Sequence, residues 1–181
     1  MTRVFAIILA AFGVAATLVA IALLNSHPSE GALRPVWSEI AWPFPVDQWG
    51  KGKAFRCSAA DCGTEVDLYL RAKIGFCNCT TGVSDDAELD RMSDFDLVGE
   101  ASPLGAGREI SVGRMKGRSR IYQLRNPPRR SAISVAFNDR CDMVVATAVV
   151  PHARPAAIEP DVIDFLNSAR VLHWVEITLG I

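Results

Sequence analysis

A run of 21 residues near the start of the chain, from Val4 to Leu24, carries no charged side chain and constrains the fold most strongly. A helix rises about 1.5 Å per residue, so this run is long enough to cross the roughly 30 Å hydrocarbon core of a bilayer. We expect residues 1–24 to form a transmembrane anchor. The alternative is a cleaved signal peptide, because Ala20-Ile21-Ala22 matches a small-x-small cleavage site. The apolar run continues past that site, which favours the anchor.

The flanking charges predict which side of the membrane holds the rest of the chain. Arg3 and the amino terminus supply the positive cytoplasmic flank, so residues 25–181 are expected to be exported. The composition, rich in alanine and arginine, suits a bacterial gene. We therefore predict a single-pass protein of the bacterial inner membrane with a periplasmic C-terminal domain. The whole chain has a formal net charge of -1, and its domain is expected to be exported, so binding to nucleic acid is not expected.

Residues 25–52 are predicted to form a juxtamembrane linker that ends in a strip rich in tryptophan and proline. Three prolines between 34 and 50 interrupt any regular helix there. The aromatic residues of this strip are Trp37, Trp42, Phe44 and Trp49. They could contact the membrane interface or a membrane partner, or they could pack on their own domain.

Residues 53–181 are expected to form one α+β domain with a largely antiparallel sheet of about five strands and two or three helices on one face. The stretch 65–74 alternates, with Asp67, Tyr69, Arg71 and Lys73 on its polar side, which predicts a strand buried on one face. Hairpins fit 109–124, turning near Lys116-Gly117, and 131–150, turning near Asn138 to Arg140.

Two helices complete the predicted domain. Ser84 to Arg91 has an N-cap residue followed by carboxylates, which predicts a short surface helix. A second helix is expected to start at Pro160 and to run to about Asn167. For the apolar stretch after Arg170, periodicity does not decide between strand and helix.

Four of the five cysteines, Cys57, Cys62, Cys77 and Cys79, fall within 23 residues and are candidates for disulfides or for a metal site. In an oxidising compartment we favour two disulfides that join the 57/62 pair to the 77/79 pair, with Cys141 left over. The second hypothesis is that the cysteines bind tetrahedral zinc or copper(I), although C-x-C is an uncommon half-site. Redox catalysis is the third, and it lacks the usual C-x-x-C at a helix start.

The charges are divided between two neighbouring segments. Residues 85–100 hold seven carboxylates against one arginine, and residues 108–130 hold eight cations against one glutamate. The cations nearest the predicted turn are Arg114, Lys116, Arg118 and Arg120. This basic tip could meet an acidic partner or anionic lipid, or it could simply be neutralised by the acidic helix.

Together these features predict a membrane-anchored periplasmic accessory or assembly protein that binds a partner in or at the inner membrane. The alternative is a periplasmic carrier of zinc or copper, or a redox protein, that uses the four clustered cysteines. We find no Gly-x-Ser-x-Gly or His-Glu-x-x-His pattern, so no catalytic residues and no cofactor are expected.

Overall fold

The computed structural model describes residues 35–75, 78–125, 129–151 and 154–181. All of them belong to one compact unit. The expected anchor at 1–24 lies outside these residues, as do Phe76 and Cys77. Within the described ranges, no helix has the length and apolar character needed to span a bilayer.

A single antiparallel sheet organises this unit, with eight strands in the described residues. They are β1 (Trp37–Ile40), β2 (Lys53–Cys57), β3 (Val66–Lys73), β4 (Ala101–Pro103), β5 (Arg108–Val112), β6 (Met115–Leu124), β7 (Arg130–Asp139) and β8 (Asp142–Pro151). Their order is β1-β2-β3-β8-β7-β6-β4, and β5 also pairs with β6. β4 and β5 therefore both pair with β6, each along a different part of it.

Five helices flank the sheet in the described part of the chain. They are α1 (Ala59–Cys62), α2 (Asp86–Met92), α3 (Phe95–Val98), α4 (Pro155–Leu166) and α5 (Ala169–Leu179). The main core joins α4 and α5 to one face, with Val162, Leu166 and Val175 against sheet residues such as Ile133 and Val144. Leu89 and Met92 of α2 pack with Ala136, Met143 and Val145 on the other face.

The expected class, a largely antiparallel sheet with a few helices, is confirmed, but two details are wrong. There are eight strands instead of about five, because β1, β2 and β4 are too short for their alternation to stand out. The helices cover both faces instead of one. α2 was expected on the surface, yet its Leu89 and Met92 are fully buried, since these two apolar side chains, three positions apart, point at the sheet.

Both hairpins form, but the turn of the first lies three residues earlier than expected. Gly113 and Arg114 make the turn, and Gly113 has a φ of 56°. Gly117 lies inside β6, where a Cβ would come within 2.1 Å of the Ala136 carbonyl oxygen. This glycine serves close strand packing and not the turn.

Helix α4 starts at Pro155, not at Pro160. Pro155 occupies the first turn, where backbone N–H groups have no intrahelical acceptor, so the missing N–H of proline costs no hydrogen bond there. Pro160 lies inside the helix. The chain then continues through Asn167 into α5, so the stretch that periodicity left open is helical.

The polar side of β3 is not solvated as the alternation predicted. Arg71 and Lys73 are 2% and 5% exposed. Both contact Asp94, whose carboxylate lies between α2 and α3. Helices on this second face bury the two cations and supply their counter-charge.

Candidate functional site

Two disulfides join four of the five cysteines. Cys57 bonds to Cys62, which closes a tight loop around α1, and Cys79 bonds to Cys141 in the β7–β8 turn. Disulfide bonds are thus present, but the expected pairing between the two sequence clusters is wrong. Cys141, which was expected to be left over, takes part.

The strand registers explain why Cys57 and Cys62 do not meet Cys79. Cys57 pairs with Val66 at one end of the sheet, whereas Asp142, next to Cys141, lies beside the opposite end of β8. Sulfurs at opposite ends of strands of eight to ten residues cannot share one metal ion. No group of three or more His, Cys, Asp or Glu side chains within the described ranges could hold a metal.

The aromatic strip packs on the domain itself. Trp37 is 8% exposed and stacks on Phe165 of α4, with ring centroids 4.8 Å apart. Trp42 and Phe44 form edge contacts with Tyr69 of β3. The Lys73 ammonium lies 5.7 Å from the centre of the Trp49 ring. Residues 37–40, expected in the linker, are the edge strand β1.

Two of the four cations of the basic tip are bound by α2. Arg118 Nε donates to Asp86 Oδ1 at 2.5 Å, and Arg120 Nη1 donates to both Asp90 oxygens at 3.0 and 2.9 Å. Asp86 and Asp90 are four positions apart and lie on one side of α2. Arg118 and Arg120 are two positions apart and therefore lie on the same face of β6. The two periodicities bring the acidic and the basic segments together.

These contacts shift the ionisation of the groups involved. The Gly107 N–H, and then Arg118, lower the pKa of Asp86 below its ordinary value. Burial, and then the hydrogen bond that it donates to Asp90, raise the pKa of Tyr122. At neutral pH Asp86 is therefore an ionised carboxylate beside Arg118, and Tyr122 is a neutral phenol.

The other two cations, Arg114 and Lys116, stay exposed, and they form no ion pair with any described residue. Arg114 lies in the β5–β6 turn, and Lys116 follows on β6. Of the four predicted tip residues, these two remain available for contact with another molecule.

A groove of about 410 Å³ adjoins Lys116. Its lining is partly polar and partly apolar, and it is formed by Thr81, Val83, Ser84, Glu109, Ile110, Ser111, Lys116, Gly117 and Asn138. Glu109, like Lys116, is exposed and has no ion pair among the described residues. The groove thus presents one free carboxylate and one free ammonium group, together with three hydroxyl side chains.

One wall of this groove is a loop that is fixed at several points. Asn78 Oδ1 accepts from Thr80 N at 2.9 Å, the local turn that asparagine favours. Cys79 ties the loop to Cys141, and Val83 N donates to Asn138 Oδ1 at 3.2 Å. Val83 itself is buried against α2 and the sheet. The Cys79–Cys141 disulfide therefore holds a wall of the groove.

The density of positive charge in the sequence predicts Arg114 and Lys116 as contact residues. It does not predict Glu109, Ser111 or the loop residues Thr81 and Ser84. These side chains come together only because β5 pairs with β6 while the disulfide brings the loop to β7 and β8. The carboxylate in the otherwise basic segment 108–130 was the one available signal.

Comparisons of this chain with protein-family models, with curated proteins and with solved structures find no match. The groove and the exposed Arg114 and Lys116 are therefore interpreted from their own chemistry.

Proposed function

We propose that this protein is an exported, membrane-anchored accessory or assembly protein that binds a partner protein through the end of the β5–β6 hairpin. The sequence supports export and anchoring through the apolar run from Val4 to Leu24. The two disulfides suit an oxidising compartment.

The main support for the binding proposal is that, among the described residues, two of the four cations of the basic tip are paired and two are not. Arg118 and Arg120 are neutralised by α2, whereas Arg114 and Lys116 are left exposed beside the groove. A charge that folding does not use is free to attract a partner and to fix its orientation. The partner surface is accordingly acidic.

Arg114 and Lys116 lie at one end of the sheet, in the β5–β6 turn and directly after it. The chain enters β1 at Trp37, which is level with Cys57 and Val66 at the other end. Lys116 is level with Asn138 at the first end. The exposed cations thus lie at the end of the sheet opposite to Trp37.

Site-specific photo-cross-linking in the source cells tests this proposal. A photoreactive residue replaces Thr81 in the groove wall of the full-length chain, which leaves both cations in place. The matched control replaces Glu65, which is exposed at the opposite end of the sheet. Membrane and soluble fractions are analysed separately.

The proposal predicts a discrete protein adduct in the membrane fraction from position 81 and none from position 65. Equal adducts from both positions, or none from position 81, would refute it. A lipid adduct at position 81 without a protein adduct would also count against it.

A further inference from the structure

The outer edge of β5 carries backbone groups that its partner strand does not use. Val112 and Met115 close the two-residue turn and therefore exchange hydrogen bonds with each other. In an antiparallel pair, residues that exchange bonds alternate with residues that do not. Ile110 and Arg108 thus bond to β6, while the backbone N–H and C=O groups of Glu109 and Ser111 point away from it.

One contact in the structure agrees with this alternation. The Ser111 carbonyl accepts from Asn167 Nδ2 at 3.2 Å, so it does face outward. The Ser111 N–H and both backbone groups of Glu109 have no partner in the described part of the chain. Three backbone groups therefore line a free edge next to the groove.

From this edge we infer that the protein binds an extended, acidic segment of its partner as an added strand along β5, an inference that rests on the proposed function. Strand addition draws its affinity from such backbone groups and its specificity from pockets for alternate side chains. The groove lies beside this edge and includes Glu109, Ile110 and Ser111 in its lining. The edge is short and charged, which disfavours indiscriminate pairing.

The cross-strand register gives the chemistry of the added segment. Ser111 is opposite Lys116, and Glu109 is opposite Arg118, which Asp86 already neutralises. A residue that pairs with Ser111 places its side chain on the face that carries Lys116. The segment thus has Asp or Glu opposite Ser111 and a neutral polar or basic residue two positions away, opposite Glu109.

The test compares Ser111→Pro with Ser111→Ala in the full-length chain that carries the photoreactive residue at position 81. Proline removes the outward N–H and places a ring on the edge, and it keeps the β5–β6 hydrogen bonds because that N–H is not part of them. Alanine removes only the hydroxyl group. Thermal unfolding of both variants checks whether the fold is kept, and the cross-linked partner peptide is sequenced by mass spectrometry.

The inference predicts that the adduct yield falls about tenfold or more in Ser111→Pro and stays within about twofold in Ser111→Ala. It also predicts a captured peptide with Asp or Glu in alternation with other residues. Equal yields in the two variants would overturn strand addition and leave the proposed function standing. A second copy of this chain as the captured species would overturn the assignment to an acidic partner.

If Ser111→Pro unfolds, the same comparison is made with Glu109→Pro and Glu109→Ala, whose N–H also faces outward. Loss of the adduct from the parent chain itself would refute the proposed function, and with it this inference.

Discussion

Arg71 and Asp94 form a two-point ion pair inside the domain, with Nη2–Oδ1 and Nε–Oδ2 distances of 2.5 and 3.1 Å. Their side chains are 2% and 3% exposed. Lys73 Nζ lies 2.8 Å from the same Asp94 Oδ1. One buried carboxylate thus serves two buried cations and ties the α2–α3 junction to β3.

Replacing Asp94 by asparagine should therefore destabilise the domain severely. Removing one partner of a buried ion pair costs about 3–5 kcal/mol in the free energy of unfolding. We expect a loss at the lower end of that range, because Arg71 keeps its contacts with Asp47 and Asp96. The matched control is Glu100→Gln, whose pair with Arg125 is 77% and 65% exposed. Exposed pairs contribute less than about 1 kcal/mol. Urea denaturation of the two variants checks this, and losses of equal size would contradict it.

The ion pair between α2 and β6 should make the domain sensitive to acid. The pKa of Asp86 is lowered in the folded state by the Gly107 N–H and by Arg118. A carboxyl group whose pKa is lower in the folded state stabilises the fold at pH values above its pKa in the unfolded chain, which is about 3.9 for aspartate. This stabilisation is lost as the pH falls from that value through the lower pKa of the folded state. Asp86→Asn should thus be less stable at pH 7 and should lose less further stability on acidification.

The measurement is the free energy of unfolding at pH 7 and at pH 3. Glu65→Gln serves as the control, because Glu65 is exposed and forms no ion pair within the described residues. If Asp86→Asn and the parent lost equal stability on acidification, the contribution of this carboxylate would be refuted.

The two disulfides should contribute unequally to stability. Their cysteines are 5 and 62 positions apart in the sequence. Loop-closure entropy predicts about 2 kcal/mol for the short loop and about 4 kcal/mol for the long one. Urea denaturation of the double alanine variants Cys57→Ala/Cys62→Ala and Cys79→Ala/Cys141→Ala should give this order.

Non-reducing peptide mapping checks the pairing itself. It should show peptides that contain Cys57 and Cys62 bonded within one loop, and a cross-link between the Cys79 and Cys141 peptides. Peptides that join position 57 or 62 to position 79 would contradict the structure, and a bound metal in place of the bridges would favour the carrier hypothesis.

The sequence predicts the longer elements of this domain because their signals are local. The alternation of β3 and the apolar arms of β7 and β8 suffice to place those strands. The short edge strands β1 and β4 have no such pattern, because they form only where a neighbour provides the pairing groups. Gly117 is a further example. Glycine is favoured both in a tight turn and where a strand packs closely on its neighbour, so the sequence alone does not show that Gly117 packs against Ala136.

For the candidate site, charge density predicted the basic residues but not which of them are used in folding. That distinction depends on the register of α2 against β6, which brings Asp86 to Arg118 and leaves Lys116 beyond the helix. The disulfide pairing was unpredictable for a similar reason, because Cys79 and Cys141 are 62 positions apart in the sequence and only the tertiary fold places them together.

Reversing the charge of Arg114 and Lys116 tests the proposed binding surface most directly. Arg114→Glu/Lys116→Glu is compared with Lys51→Glu/Arg129→Glu, which changes the net charge equally at exposed sites outside the groove. The readout is the yield of the protein adduct from a photoreactive residue at position 81. We expect the adduct yield to fall about tenfold or more for the first pair of substitutions and to change by less than about twofold for the second. Equal yields in the two variants would contradict the proposed binding surface.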